Sequence, residues 1–254
     1  MSVASDAARG AGQASERMLP ERHHHHDHTH RDVTGGWLRA AVFGAMDGLV
    51  SNMALLSGLA GGGAGDHVVL LTGIAGLLAG AFSMATGEYT SVRSQNEAAL
   101  AEVAVEAVEL HRNAAAEQEE LAGVYRDRGL TPALADEVAA ALSRDPTAAL
   151  RVHAREELGV DPENLPSPWV AAGSSLAAFA LGAAVPTLPF VVGGSAALLV
   201  AFVLTALALF GAGVAVSRFT SRSAAWTGGR QLLLGAVACA VTYALGSLVG
   251  TGVG

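Results

Sequence analysis

Apolar residues fall into five long runs, about 37–59, 68–90, 169–188, 191–216 and 228–249, each long enough to cross a bilayer core of ~30 Å as a helix. The third and fourth runs are parted only by "AVPTLP", whose two prolines predict a break there. Between the second and third runs lies the one sizeable polar block, 94–165, and it reads as helical. The second span continues without a breaker through "SVRSQNEAALAEVAVEAVELHRNAAAEQEELAGVYRDRG", and Gly129 is the expected C-cap. Thr131-Pro132 and Asp145-Pro146 each supply an N-cap followed by proline at the first helical position, and Gly159 closes the last piece. The pattern predicts an all-α protein of four parts: a polar arm, 1–34; two spans, 35–93; a small cytosolic helical domain, 94–165; and three more spans, 166–254.

Composition supports a membrane class. Half of the 254 residues are hydrophobic (51%) and only 15% are charged, against about a quarter in soluble domains. No charged residue occurs from Asn164 to Ser217, nor from Gln231 onward. The polar arm lacks the short apolar core of a secretory signal, so no cleaved leader is expected. Cys239 is the only cysteine, which excludes a disulfide or a multi-thiolate metal site within one chain. All 15 basic residues are arginine and the net charge is −8, so no nucleic-acid partner is expected.

Arginine also predicts orientation. Arg31, Arg39, Arg93, Arg218, Arg222 and Arg230 flank one set of span ends, whereas "GGGAGDH" and "AVPTLP" carry none. The positive-inside rule then places the N-terminus and 94–165 in the cytosol and the C-terminus outside. Trp37, Trp169 and Trp226 fall near the same ends, as an interfacial aromatic belt requires.

Within the first span stands a lone carboxylate, Asp47, in "RAAVFGAMDGLVSNMALLSGLAGG". It lies about ten residues, roughly 15 Å, from Trp37 and so close to the bilayer centre, where a charge costs at least ~2.5 kcal/mol. One reading is a protonated structural aspartate; the other is a point on an ion pathway, the usual meaning of an acid at that depth. In the second span Gly80, Met84 and Glu88 are four apart and share a face, with Glu88 toward the cytosol. A lone methionine is ordinarily packing. Beside two carboxylates, its thioether favours a transition metal over Mg²⁺ or Ca²⁺. Gly44/Gly48, Gly58/Gly62 and Gly76/Gly80 have the small-xxx-small spacing of close helix contacts, within one chain or between chains.

In the polar block, Glu102, Glu106 and Glu109 share a helical face, Glu117 and Glu120 repeat the three-residue step, and Glu156 and Glu157 follow His153. Such a face is ordinarily solvated, but several carboxylates and one imidazole converging in a small bundle would suit Fe²⁺ or Mn²⁺ and accept Zn²⁺. The arm's "ERHHHHDHTHRD" holds six of the nine histidines in eight positions and reads as a disordered metal-collecting segment or as an expression tag.

These segments resemble the vacuolar iron transporters and their bacterial relatives. The likeness rests on "FGAMDGLVSN", "GAFSMATGEYTSVRSQNE", "YRDRGLTPALADEVAAAL", "HAREELGVDPENLPSPWVAAGSSLAAFALGAAVPTLPF" and "RQLLLGAVACAVTYALGSLVG", and it covers nearly everything from Gly35 onward. It implies a five-span homodimer that carries Fe²⁺ out of the cytosol in exchange for protons, with a metal-binding helical domain in the cytosol. Asp47 and Met84 match the ligands of the intramembrane pathway at the dimer interface. Glu106, Glu109, Glu117 and Glu120 match the paired glutamates of the metal-binding domain, and Glu157 matches a further one. His153 departs from the plant pattern, which has methionine there.

The sequence therefore predicts a proton-coupled exporter of divalent transition metal, Fe²⁺ with Mn²⁺ or Zn²⁺ as alternatives, in a bacterial plasma membrane, with no prosthetic group. Asp47, Met84 and Glu88 form the expected pathway, and Glu106, Glu109, Glu117, Glu120, His153, Glu156 and Glu157 the expected metal site. A membrane-anchored metal buffer without transport is the alternative. No nucleotide loop, H-E-x-x-H or G-x-S-x-G motif occurs, so no enzyme is expected.

Overall fold

The computed structural model describes residues 36–218 and 222–252; the histidine-rich arm lies outside the described residues. Eight helices occur in order: α1 (Trp37–Gly61), α2 (Asp66–Arg112), α3 (Ala114–Asp127), α4 (Pro132–Leu142), α5 (Pro146–Glu156), α6 (Pro168–Val192), α7 (Ala197–Ser217) and α8 (Ala224–Gly252). Five of them, α1, α2, α6, α7 and α8, are long and apolar enough to cross a membrane. No strand occurs among the described residues.

Helix α1 packs most extensively against α6 and α8, and also meets α2 and α7. Glycine explains the closeness. A Cβ on Gly44 would come within 2.7 Å of the Ser175 carbonyl oxygen of α6, and one on Gly48 would overlap the Phe179 carbonyl. Further along the same helix, Gly58 and Gly62 sit against Thr242 and Gly246 of α8. Gly76 and Gly80 of α2 receive Asn52, Leu55 and Phe179. Each of the three spacings found in the sequence thus serves packing within the chain. The apolar core, Met53, Leu56, Val69, Phe190, Ala197, Ala201 and Cys239, draws on all five spans.

Two helix boundaries differ from expectation. Pro186 and Pro189 lie inside α6 rather than ending it. Membrane-crossing helices tolerate proline where neighbours support the disturbed turn; next to the Gly182 carbonyl, which Pro186 leaves without its helical donor, the Ala183 carbonyl accepts from the Thr187 hydroxyl at 2.8 Å and from the Asn52 amide at 2.9 Å. The chain turns instead at Gly193 and Gly194, whose φ values of 71° and 100° few other residues adopt. Asp66, at the start of α2, fixes that turn by accepting from the Gly194 N–H at 2.9 Å.

The second correction is at Asn113. Helix α2 does not run on to Gly129; it stops after 47 residues, and Asn113 leaves helical geometry at φ −129°, ψ 36° while its side-chain amide donates to Glu109 at 2.8 Å. Asparagine bonds readily to its own neighbourhood and is a poor helix former, so it supplies a break that the alanine and glutamate around it would not. Helix α3 then packs on α4 around Leu121, Ala122 and Ala139, with Tyr125, Leu142 and Val152 covering them. Thr131 stands at the N-cap position before Pro132, but its side chain makes no capping bond; the other expected signals hold. Asp145 caps α5 by accepting from the Thr147 N–H at 2.9 Å, and Gly129 and Gly159 have φ values of 97° and 64°.

Candidate metal centre

The break at Asn113 creates the first site. Along one continuous helix Glu106 and Glu117 would stand about 16 Å apart, at 1.5 Å per residue. The turn folds α3 back, and α5 brings His153 between them. His153 is fully buried. Its Nδ1 lies 3.1 Å from Glu106 Oε1, 2.7 Å from Glu157 Oε1 and 3.9 Å from Glu117 Oε2. Glu157 follows His153 by four residues and so rises on the same helical face.

Apart from the close contacts at His153 Nδ1, of which that with Glu157 favours the charged carboxylate, Glu106 Oε1, Glu157 Oε1 and the two His153 nitrogens have no hydrogen-bond partner. Buried polar atoms are rarely left so. A metal ion would resolve the arrangement, because bonds of about 2.0–2.2 Å place neighbouring ligand atoms about 3.0 Å apart in an octahedron and about 3.4 Å apart in a tetrahedron. One ligand atom each from Glu106, His153 and Glu157 lies within 4.8 Å of the others. Carboxylates with one imidazole suit Fe²⁺, Mn²⁺ or Zn²⁺.

The charges reinforce this. Burial pushes the carboxyl of Glu117 above its ordinary range, Glu106 and Glu120 push it further, and His153 opposes them. Glu157 is likewise raised, first by burial and then by Glu120 and Glu117, against the pull of His153. A cluster that disfavours its own negative charge gains most from a bound cation.

Not every expected residue joins it. Glu109 stands at the edge, bound to Asn113, and Glu120 is exposed, near enough to act on Glu106 and Glu157 through its charge. Glu156 turns away and forms an ion pair with Arg128, since adjacent residues at a helix end point about 100° apart.

The second site lies among the spans. Asp47 and Met84 line one cavity of about 220 Å³, whose wall also includes Ser51, Asn52, Gly76, Gly80 and Phe179. Asp47 is partly buried and accepts from the Ser51 hydroxyl one turn on at 2.5 Å. A larger groove of about 500 Å³ runs between α7 and α8, but no charged residue lines it. Glu88 does not line the Asp47 cavity. It is buried and pairs with Arg39 Nη2 at 2.8 Å, a carboxylate packed between helices needing a counter-ion. Sequence reasoning gave Arg39 a part only in orientation, not as the partner of Glu88, and passed over Ser51 and Asn52. The i,i+4 step from Asp47 to Ser51 and the presence of an amide in an apolar span were the signals for the last two.

A model of the VIT family matches residues 38–247. The chain belongs to the VIT family. The vacuolar iron transporter of Acanthamoeba castellanii is 36% identical over 230 residues, covering 87% of this chain and 78% of the relative. Vacuolar iron transporter 1 of Oryza sativa subsp. japonica is 30% identical over 256 residues, covering 99% of this chain and all of the relative. Vacuolar iron transporter 1 of Arabidopsis thaliana is 31% identical over 225 residues, with 87% and 90% covered. VIT-family membership places the chain among membrane transporters and not among enzymes.

Proposed function

We propose that the protein carries Fe²⁺, and Mn²⁺ as a second substrate, out of the cytosol in exchange for protons, acting as a homodimer. The observation that carries this reading is the cavity in which a carboxylate from α1 and a thioether from α2 face one space among membrane-crossing helices. The names of the relatives favour iron over other divalent ions. Arginine at one set of span ends supports a cytosolic location for α3, α4 and α5, and the arginine-only, alanine-rich composition supports a bacterial plasma membrane.

In this reading Glu106, Glu117, His153 and Glu157, with Glu109 and Glu120 at the rim, collect the ion near the membrane. The ion then passes Glu88, where it competes with the Arg39 guanidinium for the carboxylate, and reaches Met84 and Asp47. Protons arriving from the opposite side take the same carboxylate oxygens and release it, because a metal and a proton cannot share a lone pair. A second copy of the chain would cover Ser83, Thr86, Thr90 and Ser91, whose hydroxyls line an otherwise exposed strip of α2.

Purified protein in liposomes tests this. Radiolabelled Fe²⁺ should enter the vesicle lumen when a pH gradient is imposed and the protein is inserted with α3–α5 outward, and Asp47→Ala should abolish entry while leaving the melting temperature near that of the parent. Uptake indifferent to the gradient would remove proton coupling; uptake retained in Asp47→Ala would remove the pathway. The self-contained ligand set around His153 favours one second reading, a membrane-anchored metal buffer. Metal binding without any uptake would establish it.

A further inference from the structure

Asn52 stands in the wall of the Asp47 cavity, one residue beyond Ser51, and is 2% exposed. Its amide nitrogen lies 3.2 Å from the Gly73 carbonyl, 2.9 Å from the Ala183 carbonyl and 2.8 Å from the Thr187 hydroxyl, so its two N–H groups are shared among three acceptors. Two of these partners only accept. The third, Thr187, already donates its own proton to the Ala183 carbonyl, so toward Asn52 it too accepts. Exchanging nitrogen and oxygen would set the amide oxygen against two carbonyl oxygens, so the hydrogen-bond network fixes which end is which.

The oxygen therefore points away from α6, toward Gly76, three residues along α2 from Gly73. A Cβ built on Gly76, another residue of the cavity wall, would lie 2.6 Å from Asn52 Oδ1. That oxygen is buried and has no hydrogen-bond partner. An amide whose NH₂ is tied to helix carbonyls has its oxygen, the negative end of its dipole, held in one direction, here against Gly76 in the cavity wall, and backbone carbonyls fixed in this way serve as ion ligands in filters. An orphaned oxygen held in that direction, beside a carboxylate and a thioether, has the form of a missing ligand bond.

We infer that Asn52 Oδ1 is a third, neutral ligand of the ion in this cavity, completing a set with Asp47 and Met84. The inference rests on the transport reading for its ion and extends it to selectivity. A carbonyl oxygen is hard and carries no proton to exchange, so it retains its hold on the ion while Asp47 is protonated. It also favours Mn²⁺ and Fe²⁺ over softer ions, offsetting the preference of the thioether.

The test uses the full chain in a His153→Ala background, which silences the cluster around α5, with Co²⁺ binding followed by visible absorption in detergent. Fe²⁺ and Mn²⁺ uptake by proteoliposomes of the parent chain follows. Asn52→Ala should weaken Co²⁺ binding about tenfold or more, raise KM for uptake in proportion, and raise it more for Mn²⁺ than for Fe²⁺. Thr187→Val is the structural control: it loses one bond to Asn52 but leaves the amide oxygen, and should keep affinity and KM within twofold. Gly76→Ala keeps Asn52 but places a methyl 2.6 Å from its oxygen, displacing it, and should raise KM as Asn52→Ala does; if Asn52→Ala fails to fold, Gly76→Ala decides. Uptake with KM unaltered by Asn52→Ala and Gly76→Ala, an equal change in Thr187→Val, or no binding at the cavity would overturn the inference and leave transport standing. Asn52-dependent binding without uptake would uphold the ligand and overturn transport.

Discussion

Glu157→Gln should have opposite effects on the metal-free and metal-bound protein. Glu157 and Glu106 present ligand atoms within 4.8 Å of each other, and their side chains are only 18% and 13% exposed. Two unit charges at that separation repel by about 3.5 kcal/mol at an effective dielectric constant near 20. Partial protonation and the neighbouring imidazole reduce the net relief on removing one charge to about 1 kcal/mol, so the metal-free variant should melt about 2–4 °C higher than the parent. The bound state moves the other way. A structural divalent site of four ligands contributes about 10–16 kcal/mol, or about 3 kcal/mol per ligand, so losing one weakens binding roughly a hundredfold. At a Mn²⁺ concentration one hundred times its Kd, the parent gains about 2.7 kcal/mol and some 5–11 °C; the variant at the same concentration gains about 0.4 kcal/mol and 1–2 °C. Calorimetry of the full chain in detergent, with and without Mn²⁺, reads both numbers. A metal-free variant that melts lower, combined with an undiminished Mn²⁺ shift, would refute both the mutual repulsion and the ligand role.

The pH dependence follows from the same groups. Because the carboxyls of Glu117 and Glu157 are raised in the folded state, their contribution to metal-free stability is fully present below the ordinary carboxylate value of 4.5 and is lost as pH rises through the raised values. Mn²⁺ should reverse that trend, so its melting shift should be larger at pH 7.5 than at pH 5. Arg39→Ala leaves the buried Glu88 unpaired and should cost about 1–2 kcal/mol, discounted because the guanidinium is largely exposed; adding Glu88→Gln should recover at least half, measured as a double-mutant cycle in thermal melts. Gly48→Ala would drive a methyl into the α6 backbone at Phe179 and Ala183. It should lower stability by about 1–3 kcal/mol even though alanine is the better helix former, and an unchanged melting temperature would contradict the close α1–α6 contact.

The spans were legible because apolar runs of twenty residues have few other meanings, and the N-caps at Thr131 and Asp145 were legible because proline follows each. What escaped was the effect of context on breakers. Pro186 and Pro189 read as a stop, yet buried partners from α1 and from Thr187 sustain α6 through them. Asn113 read as one more polar residue, yet the His153 site depends on it, since the helix reversal there brings Glu117 back toward Glu106. Carboxylates were found as a class, but direction was not. Glu156 and Glu157 are neighbours in sequence, and only the fold shows one bound to Arg128 and the other facing His153. Asn52 carried the weakest signal, because an amide in an apolar span acquires meaning only once its hydrogen-bond partners are known.

Helix α2 carries Gly76, Met84, Glu88 and Glu106 on one unbroken rod of 47 residues, about 70 Å long. From Met84 to Glu106 the lever arm is about 33 Å, so a 5° tilt pivoting at Met84 sweeps Glu106 through nearly 3 Å, about one coordination edge. Ligands closing around a cation at the far tip would therefore fix the angle of the whole shaft, and a change of angle at the pivot would open that grip without any hinge between them.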